Sequence, residues 1–232
     1  MGVHGLLGEK LGHSYSPAIH EMLGDADYRL FEKRAEELEN FLLQGEFEGL
    51  NVTIPYKKAV IPYCAALSDT AKAIGSVNTL VRCSDGTLYG DNTDAFGFRC
   101  MVERCGVSPA GKKALVLGSG GASVTVQAVL KQLGAEVVVV SRKGENNYEN
   151  LHRHSDAALI VNTTPVGMYP NNGAAPLSLD GFPVLEAVLD VVYNPARTAL
   201  LLMAEEKGIP CAGGLRMLVA QAKAAAEQFQ HR

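Results

Sequence analysis

The chain has 232 residues, of which 47% are hydrophobic and 20% charged, and its net charge is −4. These values predict an ordinary globular protein with one large or two small domains. No basic stripe indicates a nucleic acid partner, and no apolar run is long enough to span a membrane, so the sequence argues against both.

Five cysteines, an odd number, form no CxxC pair. This spacing predicts reduced thiols and argues against a disulfide framework or a zinc site. The N-terminal segment has neither the charged start nor the long apolar core of a signal peptide. Together these features predict a cytoplasmic protein without a bound metal.

The first half of the chain alternates predicted strands, at residues 3–7, 28–33 and 49–54, with helices that begin at Ser16-Pro17 and at residue 34. Such alternation is typical of an α/β fold. Ser16 before Pro17 suits a helix N-cap, whereas Ser14 has no structural role in this pattern. Either the two hydroxyls grip a small polyol or carboxylate, or Ser16 only caps the helix, and this segment leaves both open.

The strand at 49–54 leads into Pro55-Tyr56-Lys57, which predicts that Thr53 and Lys57 lie near the carboxyl edge of a parallel sheet. Open α/β sheets bind their ligands at that edge. Farther along, Thr93 or Asp94 is predicted to cap a helix. The predicted elements of this region are helices over 56–67 and 68–73, a hairpin over 75–90, and a helix over 95–105.

Residues 111–143 are predicted to form a strand, a glycine turn, a helix and a second, parallel strand. Gly118 allows a tight turn, Gly120 lets the backbone approach a pyrophosphate, and the helix N-terminus offers free N–H groups to the anion. Ser123 departs from the fingerprint, which has Gly or Ala at that position. The alternative is a glycine-rich turn that holds no ligand.

The second strand of this unit ends in Ser141-Arg142-Lys143, where an NAD site usually places Asp or Glu. A carboxylate would repel the 2′-phosphate of NADP(H), whereas Arg142 can donate two hydrogen bonds to it and Lys143 adds charge. The sequence therefore predicts NADP(H) over NAD(H), and the alternative is a pair of solvated surface cations. Beyond it, the predicted elements are strands at 157–161 and 187–192 and helices at 198–207 and 215–230.

Eight short segments, in one order along nearly the whole chain, resemble the shikimate dehydrogenase family. Any one of them could arise by chance, but eight in register are far more specific than the glycine turn alone. The segments are HSYSPAIH, NVTIPYK, GSVNTL, YGDNTDAFGF, GSGGAS, VNTTPVGM, DVVYNP and GGLRMLVAQA.

The resemblance implies two α/β domains with the active site in the cleft between them. One is a mixed-sheet substrate domain over residues 1–93 plus 214–232, and the other is a Rossmann-like NADP-binding domain over 94–213. The implied reaction is the reversible reduction of 3-dehydroshikimate to shikimate by NADPH, a step in chorismate and aromatic amino-acid biosynthesis. Small molecules are the implied partners, and a homodimer is compatible with the sequence.

Mapped onto this chain, the family's motifs imply a catalytic pair, Lys57 and Asp94. The implied substrate-binding residues are Ser14, Ser16, Thr53, Asn78, Tyr193 and Gln221. The implied cofactor-binding residues are Gly118, Ser119, Gly120, Gly121, Ala122, Ser141, Arg142, Lys143, Thr163, Val191, Gly214, Met217 and Asp69.

The chemistry of the pair is sound on physical grounds. Hydride transfer to a carbonyl leaves negative charge on oxygen, so a proton donor must stand beside it. A lysine such as Lys57 can donate the proton, and a neighbouring carboxylate such as Asp94 can orient the ammonium. No metal is needed, because the nicotinamide carries the hydride. Taken singly, Lys57 also suits a surface cation in the first turn of a helix, and Asp94 a helix cap.

The chain also departs from the family. It is short between Arg142 and Asn162, where family members usually have a helix and a further strand, so a trimmed cofactor domain is expected. Arg216 stands where glycine is common, and Lys143 where a small hydroxyl residue is. Two other functions stay open: an NAD-dependent quinate/shikimate dehydrogenase, and a non-catalytic binding or sensor protein on the same scaffold.

Overall fold

The structure is a computed structural model that describes residues 2–12 and 14–231. Met1 and Arg232, the ends of the predicted domain ranges, and His13 of the first motif lie outside the described residues. Contacts divide the chain into unit 1, Met1–Phe96 with Val219–Arg232, and unit 2, Gly97–Leu218. These limits lie slightly beyond the predicted ones, because both fall inside helices, Thr93–Arg104 and Leu215–His231.

Unit 1 contains a six-stranded mixed sheet in the order β2-β1-β3-β5-β6-β4. Neighbours β2, β1 and β3 are parallel, β5 is antiparallel to β3 and β6, and β4 is parallel to β6. Its strands are β1 His4–Gly8, β2 Arg29–Glu32, β3 Gly49–Val52, β4 Cys64–Leu67, β5 Thr79–Arg82 and β6 Leu88–Asp91. Its helices are α1 Ser16–Met22, α2 Leu38–Gln44 and α3 Asp69–Ile74, with the start of α4 Thr93–Arg104 and most of α7 Leu215–His231.

Helices cover both faces of this sheet, because successive strand residues point to opposite sides. Leu7 of β1 packs in one cluster with Leu42 of α2. Its neighbour Leu6 packs in another cluster with Ala225 and Phe229 of α7. The central strands β1, β3 and β5 are therefore buried on both sides, whereas the edge strands β2 and β4 are largely exposed.

The predicted helix over 56–67 is wrong. Residues 54–60 form turns, Ile61–Tyr63 is a short 3-10 turn, and Cys64–Leu67 is the strand β4. Pairing of β4 with β6 overrides the helix propensity of its alanines. The predicted helix from residue 34 begins as a 3-10 turn, Ala35–Glu37, before α2.

Two predicted helix caps are also wrong. Helix α1 begins at Ser16 itself, and the Ser14 hydroxyl accepts a hydrogen bond from the Ser16 N–H at 3.2 Å. At α4, the Asn92 side chain accepts from the N–H of Ala95 at 3.2 Å, so Asn92 caps this helix and not Thr93 or Asp94. In both places a residue shortly before the expected one supplies the oxygen.

Unit 2 contains a five-stranded parallel sheet in the order β11-β10-β9-β7-β8. This is the doubly wound order without its outermost strand beyond β8. Its strands are β7 Lys113–Leu117, β8 Glu136–Val140, β9 Leu159–Asn162, β10 Ala187–Asp190 and β11 Cys211–Gly213, and its helices include α5 Gly121–Gln132 and α6 Ala199–Glu206. The sequence predicts all of these except β11, whose three residues are too few to form a pattern.

The connection between β8 and β9 contains neither an α-helix nor a strand, as its short length predicts. It forms one 3-10 turn, Leu151–His154. Leu151 and Tyr148 pack with Val138 on the cluster that fills this side of the sheet. The trimmed segment thus still covers part of β8. In the described part of the chain, every helix is too short or too polar to cross a membrane.

Candidate functional site

In unit 1, Lys57 and Asp94 form an ion pair in which Nζ donates to Oδ2 at 2.5 Å. Their side chains are 19% and 13% exposed, so the pair is sheltered but open to solvent. Lys57 lies in the turn after β3, and its carbonyl accepts from the N–H of Val77 at 2.8 Å. Asp94 is the second residue of α4. The fold thus brings together a cation and a carboxylate 37 positions apart.

Asn78 holds the start of α4 from the adjoining β5 segment. Its Oδ1 accepts from the N–H of Thr93 at 2.7 Å and from Oγ1 of Thr79 at 3.0 Å. Its Nδ2 donates to Oγ1 of Thr93 at 3.1 Å and to Oε1 of Gln221 at 3.4 Å. The bond to Gln221 is the longest and therefore the weakest of these. A buried amide network thus fixes the backbone that carries Asp94.

The other residues of the implied substrate set lie at loop and helix positions. Ser16 is buried and Ser14 half-buried, joined by the hydrogen bond already described. Thr53 directly follows β3, and its N–H donates to the carbonyl of Leu7 at 2.9 Å. Tyr193 belongs to unit 2, in the loop after β10.

The glycine turn of unit 2 has the predicted form. Gly118 has a φ of +105°, and a Cβ there would lie 2.9 Å from Oγ1 of Thr163. Its N–H donates to the carbonyl of Val140 at 2.8 Å, which ties the turn to the end of β8. Among the described residues, a Cβ at Gly120 or Gly121 would meet nothing within 4 Å, and no side chain caps α5. The open helix N-terminus therefore fits the pyrophosphate of a dinucleotide.

The contacts of Ser123 explain how a serine can occupy this position of the glycine fingerprint. The side chain is fully buried, its hydroxyl donates to the carbonyl of Gly118 at 2.7 Å, and it accepts from Nε2 of Gln127 at 2.9 Å. A serine is small enough for helix and strand to pack closely, and its polar group is satisfied. The turn is therefore braced by the residue that departs from the motif.

Ser141, Arg142 and Lys143 follow β8 at the same sheet edge. The N–H of Ser141 donates to the carbonyl of Asn146 at 3.0 Å, which closes the segment into a compact loop. The Arg142 and Lys143 side chains are exposed. Two exposed cations thus lie directly after β8, and their side chains are accessible to a phosphate group.

Further implied cofactor residues lie along this edge. Thr163 donates through Oγ1 to the carbonyl of Leu117 at 2.6 Å, and the N–H of Val191 donates to the carbonyl of Asn162 at 3.0 Å. A Cβ at Gly214 would lie 2.0 Å from the Val191 carbonyl oxygen, so only glycine fits there without a backbone shift. The remaining residues are Ser119 and Ala122 in the glycine turn and its helix, and Met217, buried on α7.

Asp69, which the resemblance also implied, lies in unit 1. It begins α3, its carboxylate is fully exposed, and it stands 3.5 Å from Nζ of Lys72. Its local contacts are those of a residue in the first turn of a helix.

A buried network at the unit 2 edge escaped the sequence analysis. Asp190, the last residue of β10, is fully buried. Its Oδ1 accepts from the Val192 N–H and from Nδ2 of Asn162, each at 3.0 Å, and its Oδ2 accepts from Oγ1 of Thr198 at 2.7 Å. Burial raises the pKa of Asp190 to about 6, although these hydrogen bonds act in the opposite direction. Its signal in the sequence is a carboxylate that directly follows the apolar run 187–189.

Residues 6–80 match the shikimate dehydrogenase substrate binding domain. A shikimate dehydrogenase (NADP(+)) of Clostridium perfringens (strain SM101 / Type A) is 38% identical over 250 residues, covering 98% of this chain and 92% of that protein.

Solved structures agree. A chorismate mutase/shikimate 5-dehydrogenase fusion protein from Clostridium acetobutylicum has a TM-score of 0.92 and 36% identity, covering 100% of this chain and 91% of the other. Shikimate 5-dehydrogenase from Thermus thermophilus in complex with NADP(H) and shikimate has a TM-score of 0.88 and 34% identity, covering 100% and 94%. With identity of this level over nearly the full length, the chain belongs to the shikimate dehydrogenase family.

Proposed function

We propose that this protein is an NADP-dependent shikimate dehydrogenase, which reversibly reduces 3-dehydroshikimate to shikimate with NADPH on the route to chorismate and the aromatic amino acids. The observation that carries the proposal is the sheltered contact between Lys57 and Asp94. Relatives named as NADP-dependent shikimate dehydrogenases support the choice of reaction. Five cysteines without a CxxC pair support a cytoplasmic location.

In the proposed mechanism, Lys57 and Asp94 handle the proton. The Lys57 ammonium donates a proton to the carbonyl oxygen during reduction and takes it back during oxidation. Asp94 accepts a hydrogen bond from Nζ and so keeps the ammonium oriented. When bound, NADPH supplies the hydride.

For substrate binding, we assign the carboxylate to Ser14 and Ser16 near the start of α1. We assign the ring hydroxyls to Thr53, Asn78, Gln221 and Tyr193. The long hydrogen bond between Asn78 and Gln221 supports this assignment, because a substrate hydroxyl can replace it at less cost than the shorter bonds of the network.

For the cofactor, we assign the pyrophosphate to the glycine turn and the start of α5, and the 2′-phosphate to the loop after β8. Exposed cations at the end of β8 support NADP over NAD. The proposed residues are Gly118, Ser119, Gly120, Gly121, Ala122, Ser141, Arg142, Lys143, Thr163, Val191, Gly214 and Met217 of unit 2 and Asp69 of unit 1.

The test is an absorbance assay of NADPH oxidation with 3-dehydroshikimate, repeated with NADH, and in the reverse direction with shikimate and with quinate. We expect turnover with NADPH, and kcat/KM lower with NADH by about tenfold or more because the 2′-phosphate contacts are lost. Absence of any oxidation would favour a binding or sensor protein. An equal rate with NADH would overturn the NADP assignment, and efficient quinate oxidation would indicate a quinate/shikimate dehydrogenase.

A further inference from the structure

The Asp190 carboxylate occupies an unusual environment. It is fully buried, and its three hydrogen-bond donors are a hydroxyl, a backbone N–H and a side-chain amide, all neutral. Within the described part of the chain, no charged side chain contributes to its pKa shift. A carboxylate buried without a cation costs folding free energy. Because burial of the Asp190 carboxylate destabilises the fold, packing does not explain this residue, and we expect another role.

The three donors come from three different segments. Val192 lies in the loop after β10, Asn162 ends β9, and Thr198 caps α6 by accepting from the N–H of Leu201 at 3.4 Å. Asn162 extends this hydrogen-bond network to the next loop, because its Oδ1 accepts from the N–H and the hydroxyl of Thr164 at 3.0 and 2.7 Å. One carboxylate is therefore hydrogen-bonded to residues of two loops and to the residue that caps a helix.

Two of the proposed cofactor contacts lie inside the segments that Asp190 ties. Thr163 stands between Asn162 and Thr164, and Val191 between Asp190 and Val192. We propose that Asp190 is a positioning residue for the dinucleotide: it holds residues 162–164 and 191–192 in the arrangement that binds the cofactor. This inference rests on the proposed function and adds a residue to it.

Asp91 of unit 1 provides a matched control. It is also the last residue of a strand, β6, and it also accepts from a hydroxyl, a backbone N–H and a side-chain amide. These donors are Ser68, the N–H of Asn92 at 2.7 Å and Nε2 of Gln228 at 2.5 Å. Asp190→Asn and Asp91→Asn therefore make the same chemical change in two networks, one in the unit of the glycine turn and one in the other unit.

The test is calorimetric titration of the full chain with NADP⁺ at pH 8 and pH 5. At pH 8 we expect Asp190→Asn to raise Kd about tenfold, because charge-assisted hydrogen bonds become neutral ones, and Asp91→Asn to leave it within about twofold. At pH 5 the wild-type carboxyl is mostly protonated, since burial raises its pKa to about 6. The ratio of mutant to wild-type Kd should therefore fall, while protonation of the cofactor's 2′-phosphate affects both proteins and cancels.

A ratio near one at pH 8 would overturn the inference. Thr198→Val provides a second variant that keeps the carboxylate and removes one donor, and it should also weaken NADP⁺ binding. Amide hydrogen exchange without ligand gives an independent readout. Asp190→Asn should raise the exchange rates of Val192 and Thr164 about tenfold, and Asp91→Asn should not.

These readouts separate the two proposals. If the wild-type chain binds no NADP⁺, the proposed function fails, and exchange at Val192 and Thr164 then decides whether Asp190 orders the two loops. If NADP⁺ binds but its affinity does not respond to Asp190→Asn, the positioning role fails while the proposed function stands.

Discussion

Asp94 in unit 1 and Asp190 in unit 2 are carboxylates in opposite environments. Asp94 is paired with the Lys57 ammonium and is 13% exposed, whereas Asp190 is fully buried among neutral donors. A charged pair that is open to solvent can make hydrogen bonds to a bound substrate. A buried carboxylate without a cation is suited to ordering the backbone around it. In the proposed mechanism, the same residue type therefore serves chemistry in one unit and organisation in the other.

The two units also differ in how buried groups respond to acid. Burial in unit 1 lowers the pKa of His20 to about 4, so stability is lost as the pH falls from about 6.5 to 4. Burial in unit 2 raises the pKa of Asp190 to about 6, so the stability present below pH 3.8 is lost as the pH rises through 6. Between about pH 6 and pH 4, acidification therefore destabilises the fold through His20 and stabilises it through Asp190.

The largest effect is expected when the ion pair between Lys57 and Asp94 in unit 1 is broken. Lys57→Ala should lower kcat about 1,000-fold, because the proton donor beside the carbonyl is removed. Lys58→Ala is the matched control, since Lys58 is the neighbouring exposed lysine and should leave kcat within about twofold. Steady-state kinetics, with circular dichroism to check folding, measure both.

The double variant Lys57→Ala/Asp94→Asn sharpens this test. If the two residues act as a unit, adding the second change should cost little more than the first alone. Near-normal turnover in folded Lys57→Ala would contradict the proton-transfer role, and strictly additive losses would contradict a coupled pair.

The second prediction concerns acid sensitivity in unit 1. His20 stacks on Tyr28 with ring centroids 3.9 Å apart, and the shift of its pKa corresponds to a loss of at most about 3 kcal/mol between pH 7 and pH 4. His20→Phe should keep the stacked ring and remove this loss. Urea unfolding at both pH values measures it, with the exposed His152→Ala as control. Parallel pH dependence in wild type and His20→Phe would show that another group is responsible.

The third prediction separates two glycines of unit 2. Gly214→Ala should lower the free energy of unfolding by about 2 kcal/mol, because its Cβ would lie 2.0 Å from the Val191 carbonyl oxygen. Gly120→Ala should cost less than about 1 kcal/mol, because its Cβ meets open space. It should nevertheless raise the Kd of NADP⁺ about tenfold by filling the space for the pyrophosphate. Unchanged affinity in Gly120→Ala would contradict the phosphate assignment.

The smallest expected effect concerns cofactor choice. Arg142→Ala/Lys143→Ala should lower the preference for NADPH over NADH, measured as the ratio of kcat/KM values, by about tenfold. The activity with NADH should stay within about twofold, because the proposed assignment gives these side chains contacts to the 2′-phosphate alone. Lys131→Ala at the end of α5 is the control for loss of a cation in the same unit. An unchanged ratio would show that both cations are merely solvated.

Local sequence was sufficient where a few neighbouring residues specify the structure. The apolar runs before the glycine turn and after its helix predict β7 and β8, and Gly134, with a φ of +82°, lies in the turn between α5 and β8. The cations after β8 and the short connection to β9 could be read in the same way. Lys57 and Asp94 could be named as a pair only through the resemblance, because nothing local links a turn and a helix start that are 37 positions apart in the chain.

The tertiary structure decided what depends on partners distant in sequence. It made β4 a strand through pairing with β6, and gave Ser14 and Asn92 the helix-start hydrogen bonds that the sequence assigned to their neighbours. It also buried Asp190 among donors from three segments. Propensity and spacing describe a residue's neighbours along the chain, whereas burial and hydrogen-bond partners are fixed only when separate segments pack together.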